Sequence, residues 1–347
     1  MTIKDISRES GYGVGTVSRV LNGHPDVSDT ARAAIMAVVK KNNFRPNSNA
    51  KQLKQHNSNS VAILVKGAGN LMFVGMLEKL QHSFQQANRA VAVYYMDESD
   101  DELAHAIRIC REFKPTGILF LGGSLERFIP RFQEINLPSI LVSTPGSILG
   151  YPNLSSVSTD DTAGARCSMG YLLDVGHRKV GVIAGFDYSQ THIDGIKNMS
   201  QLRLEGCIQA CTERNIPFDS VTQTEKARYS IASGYEAAAK LLDRIPGLTA
   251  LLTMSDVMAI GAMRAIRDRN LRIPEDVSVI GFDGLTLSQY LTPRLTTIWQ
   301  DTDRMAQRAV EILLSQMEDG KPPIHEIVPY RLIEGESVRN ISHLPPR

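Results

Sequence analysis

Thr2 to Gly23 read TIKDISRESGYGVGTVSRVLNG, with apolar residues at helical rather than strand spacing. Ile3 and Ile6 share one face of a short helix, Ile3–Glu9, which Thr2 or its neighbour can cap. Ser10-Gly11-Tyr12-Gly13 breaks it. A second helix, Val14–Asn22, places Val14, Val17, Val20 and Leu21 on one side and stops at Gly23-His24-Pro25. Ser28 or Asp29 then caps a third helix to about Lys41, with Ile35, Val38 and Val39 inward. Two short helices joined by a Gly-containing turn, closed by a third, make a helix-turn-helix plan. In that plan the second helix enters the DNA major groove. Thr16, Ser18, Arg19 and Asn22 are its polar set. Arg19 can donate bidentately to guanine, and short hydroxyls suit phosphates. The plain alternative is a helix face that merely meets water. Gly11-x-Gly13-x-Gly15 lacks both a preceding strand and the spacing of a dinucleotide loop, so these glycines are read as shaping the turn.

Charge supports a polyanion partner for this segment. Residues 1–60 carry nine Lys/Arg and four Asp/Glu, a net +5 in a chain whose total is only +1. The remaining 287 residues are therefore −4, so the basic module sits on a mildly acidic body. No run approaches 18 apolar residues, which excludes a membrane helix. MTIKDISRESG has no apolar signal region, so a cytoplasmic protein is expected. Four cysteines in 347 residues do not make a disulfide scaffold. Cys207 and Cys211 lie four apart without a paired histidine, which reads as buried thiols rather than a metal site. GxxxxGK[ST], GxSxG and HExxH are absent, and the eight histidines are scattered. Neither an enzyme nor a cofactor is expected.

Arg45-Pro46-Asn47 ends the third helix's exit, and Asn47 can cap a two-turn helix, Ser48–Lys54, which is marginal alone in water. The polar run Gln55–Ser60 reads as linker. From Val61 onward short apolar runs alternate with helical stretches. Strands are expected at Val61–Val65, Val91–Tyr95, Gly117–Leu121, Ser139–Val142, Lys179–Ile183, Thr249–Leu252 and Val277–Gly281. Helices are expected between them, including Phe73–Ala87, Ala163–Val175, Leu202–Arg214, Gly234–Arg244 and Met258–Arg269. Ser233-Gly-Tyr-Glu236 has the pattern of a capping box. The alternation implies parallel sheets covered by helices, and some 270 residues of it suggest two wound subdomains.

Residues 2–23, with VSDTAR (27–32) and FRPNSNAKQL (44–53), resemble the headpiece of the LacI/GalR family of bacterial transcription regulators. The likeness continues through GHRKVGVIAG (176–185), RLEG (203–206), SDVMAIGAMRAI (255–266), RIPEDVSVIGFD (272–283) and PRLTTIWQD (293–301), nearly the whole chain. It implies a helix-turn-helix domain at 1–45, a hinge helix and linker at 46–60, and an effector-binding and dimerisation body at 61–347. The body would be two interleaved, doubly wound subdomains of the type I periplasmic-binding-protein arrangement. DNA contacts are implied for Thr2, Val14, Gly15, Thr16, Ser18, Arg19 and Asn22, with Asn47, Ala50 and Leu53 in the hinge. Leu53 matches the residue that wedges into the minor groove, and wedging kinks DNA at a cost of a few kcal/mol. The chain departs at Gly15, where relatives carry a reading side chain, so base readout there should be weak.

The resemblance also implies effector contacts by Phe73, Asp161, Arg203, Tyr229, Ser255, Asp256 and Asp283. Carboxylates accept from vicinal hydroxyls, arginine donates in a fork, and aromatic faces stack on a ring. Asp161 and Asp256 could instead cap the helices they precede. Met72 and Met199 depart from the aromatic and small polar residues common there, which leaves the effector open. A carbohydrate or its phosphate is the first expectation, and a nucleobase the second. No leucine heptad follows Asn340, so a homodimer on a palindromic operator is expected. A repressor switched by a small molecule thus competes with a transport solute-binding protein and an enzyme on the same fold.

Overall fold

A computed structural model describes residues 3–21, 27–42, 59–67, 69–186 and 195–343. Thr2, Asn22, Asn47, Ala50 and Leu53, and the expected hinge helix, lie outside the described residues. The chain divides into two compact units, Met1–Asn57 and Ser58–Arg347.

The first unit holds helices α1 (Ile3–Ser10), α2 (Val14–Leu21) and α3 (Asp29–Lys41). Gly11 adopts φ +74°, a left-handed conformation that L side chains resist, and this turns the chain between α1 and α2. The Ser7 hydroxyl donates to the Tyr12 carbonyl at 2.7 Å and pins the turn. Ser28 caps α3, its hydroxyl accepting from the Ala31 N–H at 3.4 Å. Ile6, Val17, Val20, Ile35 and Val39 form the core, with Tyr12, Val27 and Val38 packed against it. At roughly 1.5–3 kcal/mol for each buried aliphatic side chain, this is a small core.

The second unit contains two six-stranded sheets. The first subdomain comprises β1 (Ser60–Lys66), α4 (Leu71–Gln86), β2 (Ala90–Met96), α5 (Glu102–Phe113), β3 (Gly117–Leu121), α6 (Leu125–Phe128), β4 (Ser139–Val142) and β5 (Leu154–Thr159). The second comprises α7 (Asp161–Asp174), β6 (Val180–Gly185), α8 (Met199–Glu213), β7 (Thr224–Ala227), α9 (Ile231–Arg244), β8 (Ala250–Thr253), α10 (Asp256–Asp268), β9 (Ser278–Asp283) and β10 (Thr296–Gln300). The chain then returns to the first subdomain for α11 (Thr302–Asp319) and β11 (His325–Val328), and crosses once more to β12 (Tyr330–Ile333). Three crossings therefore join the subdomains, and the sheets order their strands β11-β5-β4-β3-β1-β2 and β12-β10-β9-β8-β6-β7. Every strand pair is parallel except β10–β12. The inner strands β1, β3, β4 and β9 are buried almost throughout, which explains their near-continuous apolar runs. In each sheet the winding reverses beside the first strand, between β1 and β3 and between β6 and β8. Loops at such a switch point, beyond the strand C-termini, are where α/β sheets place ligands.

The expected strands are present, and five more join them. β5, LSSVST, hides in the sequence because four of its six buried positions are serine or threonine. Two of the hydroxyls are satisfied internally, Ser155 donating to Gln316 at 2.9 Å and Ser156 pairing with His325 Nδ1 at 2.9 Å, whereas Ser158 Oγ has no hydrogen-bond partner among the described residues. The expected capping box at Ser233 is not the start of its helix. α9 begins at Ile231, and Ser230 caps it by accepting from the Ser233 N–H at 3.2 Å. A reciprocal capping box does exist at the start of α8, between Asn198 and Gln201.

Truncating Ile35 tests the independence of the small core. Ile35→Ala should destabilise the first unit by about 2–5 kcal/mol. Amide exchange over residues 3–42 should accelerate while the melting of the body is unchanged; one shared loss of stability in both would contradict two separate cores.

Candidate functional site

In the first unit, Val17 and Val20 point into the core while Gly15 and Arg19 are exposed and Thr16 is half-buried. Gly15 and Arg19 are four apart and so share one face of α2. A Cβ at Gly15 would meet no atom within 4 Å, so this face is open at that point. Val14 and Ser18 lie on the same helix.

In the body, a cleft lies between the two subdomains, built from loops that follow the strands. One wall carries Lys66 at the end of β1, Asn70 and Phe73 at the start of α4, and Ser124 and Ser143 beyond β3 and β4. The facing wall carries Phe186 after β6, Asn198, Ser200 and Arg203 at the start of α8, Tyr229 after β7, and Asp283 at the end of β9. Asn70 and Asn198 are also N-caps, accepting from Met72 and Gln201 N–H groups at 3.0 and 2.9 Å. Two helix N-termini thus face the cleft.

Arg203 organises the second wall. Its side chain is only 3% exposed, an environment that demands partners for a cation. Nε donates to Asp161 Oδ1 at 2.7 Å, and Nη1 donates to the Met254 carbonyl. Asp283 Oδ1 lies 3.9 Å from Nη1, and the guanidinium stacks over the Phe282 ring at 3.8 Å. Asp283 also accepts from Gln300 Nε2 at 3.0 Å. Burial raises the Asp283 carboxyl well above the usual range against the pull of Arg203, and the Asp256 charge adds to the rise. Its backbone φ of +118° is a left-handed value for a side-chain-bearing residue, worth about 1–3 kcal/mol of strain, of the kind that clusters at binding sites.

Four of the seven expected effector residues, Phe73, Arg203, Tyr229 and Asp283, line the cleft together. Three do not. Asp161 is the first residue of α7 and stands behind Arg203, its carboxylate spent on that guanidinium. Ser255 caps α10, accepting from the Met258 N–H at 3.3 Å, and is fully buried. Asp256 is fully buried and accepts from the Leu285 N–H at 2.7 Å and from the Ser288 and Thr297 hydroxyls at 2.6 Å each. Its acceptor capacity goes to pinning the loop after β9 to β10, and burial pushes its carboxyl up to about 6.

Sequence reasoning missed Lys66, Asn70, Ser124, Ser143, Asn198 and Ser200. Their signal was position: each follows a strand or opens the next helix. Lys66 is the notable one. Its buried ammonium donates to Glu102 at 2.5 Å and to the Ser124 hydroxyl at 3.0 Å. Burial lowers its pKa and Glu102 opposes that.

Several contacts cross the cleft, among them an Arg228 Nε–Glu98 pair at 3.6 Å. Arg228 Nη2 holds Asp97 at 2.7 and 2.8 Å, Ser143 meets the Met199 sulfur at 3.8 Å, and Gln300 meets the Met72 sulfur at 3.5 Å. Asp97 is lowered to about 2, first by the Ser99 N–H and then by Arg228. The free volume left inside is about 100 Å³. Among the described residues no helix is long and apolar enough to cross a membrane, and no three His, Cys, Asp or Glu side chains gather as a metal site requires.

The raised Asp283 carboxyl gives a stability prediction. A folded pKa above the unfolded one favours the folded state at low pH, and that advantage is lost as pH rises through the folded pKa. Asp283→Asn keeps the Gln300 acceptor but carries no charge to bury. Its body should melt at or above the parent temperature at pH 8, with the gap closing as pH falls toward 4. A variant less stable than the parent at pH 8 would show that the ionised carboxylate is net stabilising.

Comparison with known proteins gives the following. A family model described as "Bacterial regulatory proteins, lacI family" matches residues 2–47, and one described as "Periplasmic binding protein-like domain" matches residues 169–338. The chain is 33% identical over 344 residues to the HTH-type transcriptional regulator MalR of Clostridium butyricum, covering 98% of this chain and 100% of that one. It is 28% identical to the ribose operon repressor of Haemophilus influenzae, covering 92% of each. Among solved structures, the transcriptional regulator CelR–cellobiose complex superposes with a TM-score of 0.70 at 25% identity, covering 97% of this chain and 99% of that one. The lac repressor dimer bound to operator and the anti-inducer ONPF gives 0.68 at 24%, covering 97% and 98%, and supports the fold.

Proposed function

The chain belongs to the LacI/GalR family of bacterial transcriptional regulators, and from that premise we propose that it is a repressor whose operator affinity is switched by a neutral sugar bound between its subdomains. It is a DNA-binding transcription regulator of that family. Its relatives regulate transcription, which supports binding rather than catalysis as the work of the body.

The observation that carries the choice of effector is the charge balance of the cleft. Lys66 is paired with Glu102, which Arg127 also approaches at 3.5 Å, and Arg203 is paired with Asp161. Among the described residues lining the cleft, each cation thus already holds a carboxylate, whereas a phosphate dianion calls for charge-assisted donors of its own. What the cleft offers instead is Asp283 as acceptor, Asn70, Asn198, Ser124 and Ser143 as two-way partners, and the rings of Phe73, Phe186 and Tyr229. That combination suits the hydroxyl edge and the C–H faces of a sugar ring. The sugar-bound relative supports the class, not its identity.

On DNA, Arg19 reads a base, Thr16 and Ser18 meet phosphates, and Val14 and Gly15 approach the groove. Thr2, Asn22, Asn47, Ala50 and Leu53 complete the proposed contacts. The protein acts in the cytoplasm as a two-fold dimer on a palindromic operator. Sugar binding acts by changing whether both headpieces can engage the two half-sites together.

Two tests follow. On an operator chosen from a random pool, Arg19→Ala should cost about 1–3 kcal/mol and relax preference at one symmetric base pair. With about ten phosphates neutralised per dimer, log K should fall against log salt with a slope of about −9. A salt-independent affinity would refute the assignment. Fluorescence anisotropy on that operator, with a panel of neutral sugars and their phosphates, tests the effector. A neutral sugar should change affinity, and Asp283→Asn should blunt the change while leaving sugar-free binding within a few-fold. Response to sugar phosphates alone would contradict the charge argument.

A further inference from the structure

A second hollow adjoins the cleft and shares Gly67, Glu98 and Tyr229 with it. Its own walls are Tyr95 and Met96 at the end of β2, Asp97 and Asp100 in the loop that follows, and Arg228 and Ser230 beside Tyr229. It holds about 490 Å³, against about 100 Å³ in the inner cleft. The larger figure lies within the ~300–1,000 Å³ typical of small-molecule sites.

Tyr95 is the feature without a structural explanation. Its neighbour Tyr94 packs against Phe113 with ring centroids 5.9 Å apart. Alternation along the strand sends Tyr95 to the other face, where it is 59% exposed and, among the described residues, meets no other ring. Beside it Arg228 Nη2 donates to both Asp97 oxygens at 2.7 and 2.8 Å, and the Ser99 N–H and hydroxyl each donate to Asp97 at 3.0 Å. An open aromatic face next to fixed donors and acceptors is the recognition chemistry of a sugar ring. Asp97, Glu98 and Asp100 outnumber Arg228 there, which disfavours an acidic ring.

We infer that the outer hollow is a second sugar subsite, and that the effector is a neutral oligosaccharide of at least two rings. One ring lies in the inner cleft and the next lies against Tyr95, its hydroxyls toward Asp97 and Arg228. The inference rests on the carbohydrate reading of the cleft and extends it to ligand length. Tyr229 stands in both walls and separates the two rings.

The test is calorimetric titration of the full chain with glucose, maltose, cellobiose and lactose, repeated with Tyr95→Ala and Tyr95→Phe. At least one disaccharide should bind roughly 10-fold tighter than glucose, a gain of the size that aromatic stacking supplies. Tyr95→Ala should remove most of that advantage and leave glucose within about 2-fold, while Tyr95→Phe, which keeps the ring, should retain it. A melt of each variant controls for folding, which an exposed residue should not disturb. If glucose binds as tightly as every disaccharide, or Tyr95→Ala leaves the disaccharide advantage intact, the outer subsite is refuted and the inner reading stands. If none of the four sugars binds, the carbohydrate reading itself fails and the subsite falls with it.

Discussion

The body depends on one buried cation. Arg203 reaches from α8 to the start of α7 through Asp161, to the end of β8 through the Met254 carbonyl, and toward the end of β9 through Asp283. A guanidinium this deep must be neutralised, and removing one member of a buried pair typically costs about 3–5 kcal/mol. The arrangement therefore ties together the elements that form one wall of the cleft. It also fixes the chemistry of that wall. Arg203 is already matched in charge before any ligand arrives, and Asp283, strained and reluctant to ionise, is the acceptor that remains beside it. The first subdomain repeats the logic with Lys66 on Glu102.

The topology explains why these groups meet. Each sheet winds outward from its first strand in both directions, so loops from β1 and β3, and from β6 and β8, open at adjacent points. The three crossings between subdomains lie at Thr159–Asp161, Gln300–Thr302 and Val328–Tyr330. Asp161 and Gln300 sit at two of these crossings and bond to Arg203 and Asp283. A change in the angle between subdomains is thus mechanically coupled to the acceptors that a ligand would meet. Met72 and Met199 make two of the contacts across the cleft. Flexible thioethers suit a surface that must pack in more than one arrangement.

Much of this was legible in the sequence. The helix-turn-helix and the inner strands announced themselves because their apolar spacing is also their burial pattern. β5 and β10 were obscured because buried serines and threonines, among them Ser155, Ser156 and Thr297 bonded to Gln316, His325 and Asp256, take the place of aliphatic side chains. At the site, the sequence could put Asp161, Ser255, Asp256 and Asp283 after strands. It could not tell which carboxylates were already consumed by neighbours far along the chain, such as Ser288 and Thr297 for Asp256. Asn70 and Asn198 were overlooked for a related reason, since a capping residue carries no separate mark of also facing a cleft. Lys66 is partnered by Glu102, 36 residues on, and only the three-dimensional fold reveals that pairing.

In the proposed switch, sugar in the cleft and operator on the headpiece share one free energy of coupling. Linkage makes that coupling reciprocal. The most direct measurement is sugar affinity by calorimetry for the free protein and for the protein saturated with operator. The ratio of the two sugar dissociation constants should equal the ratio of operator dissociation constants measured with and without saturating sugar, and a ~10³-fold switch would correspond to about 4 kcal/mol. Equal sugar affinity in both states would contradict the account, however tightly the sugar binds.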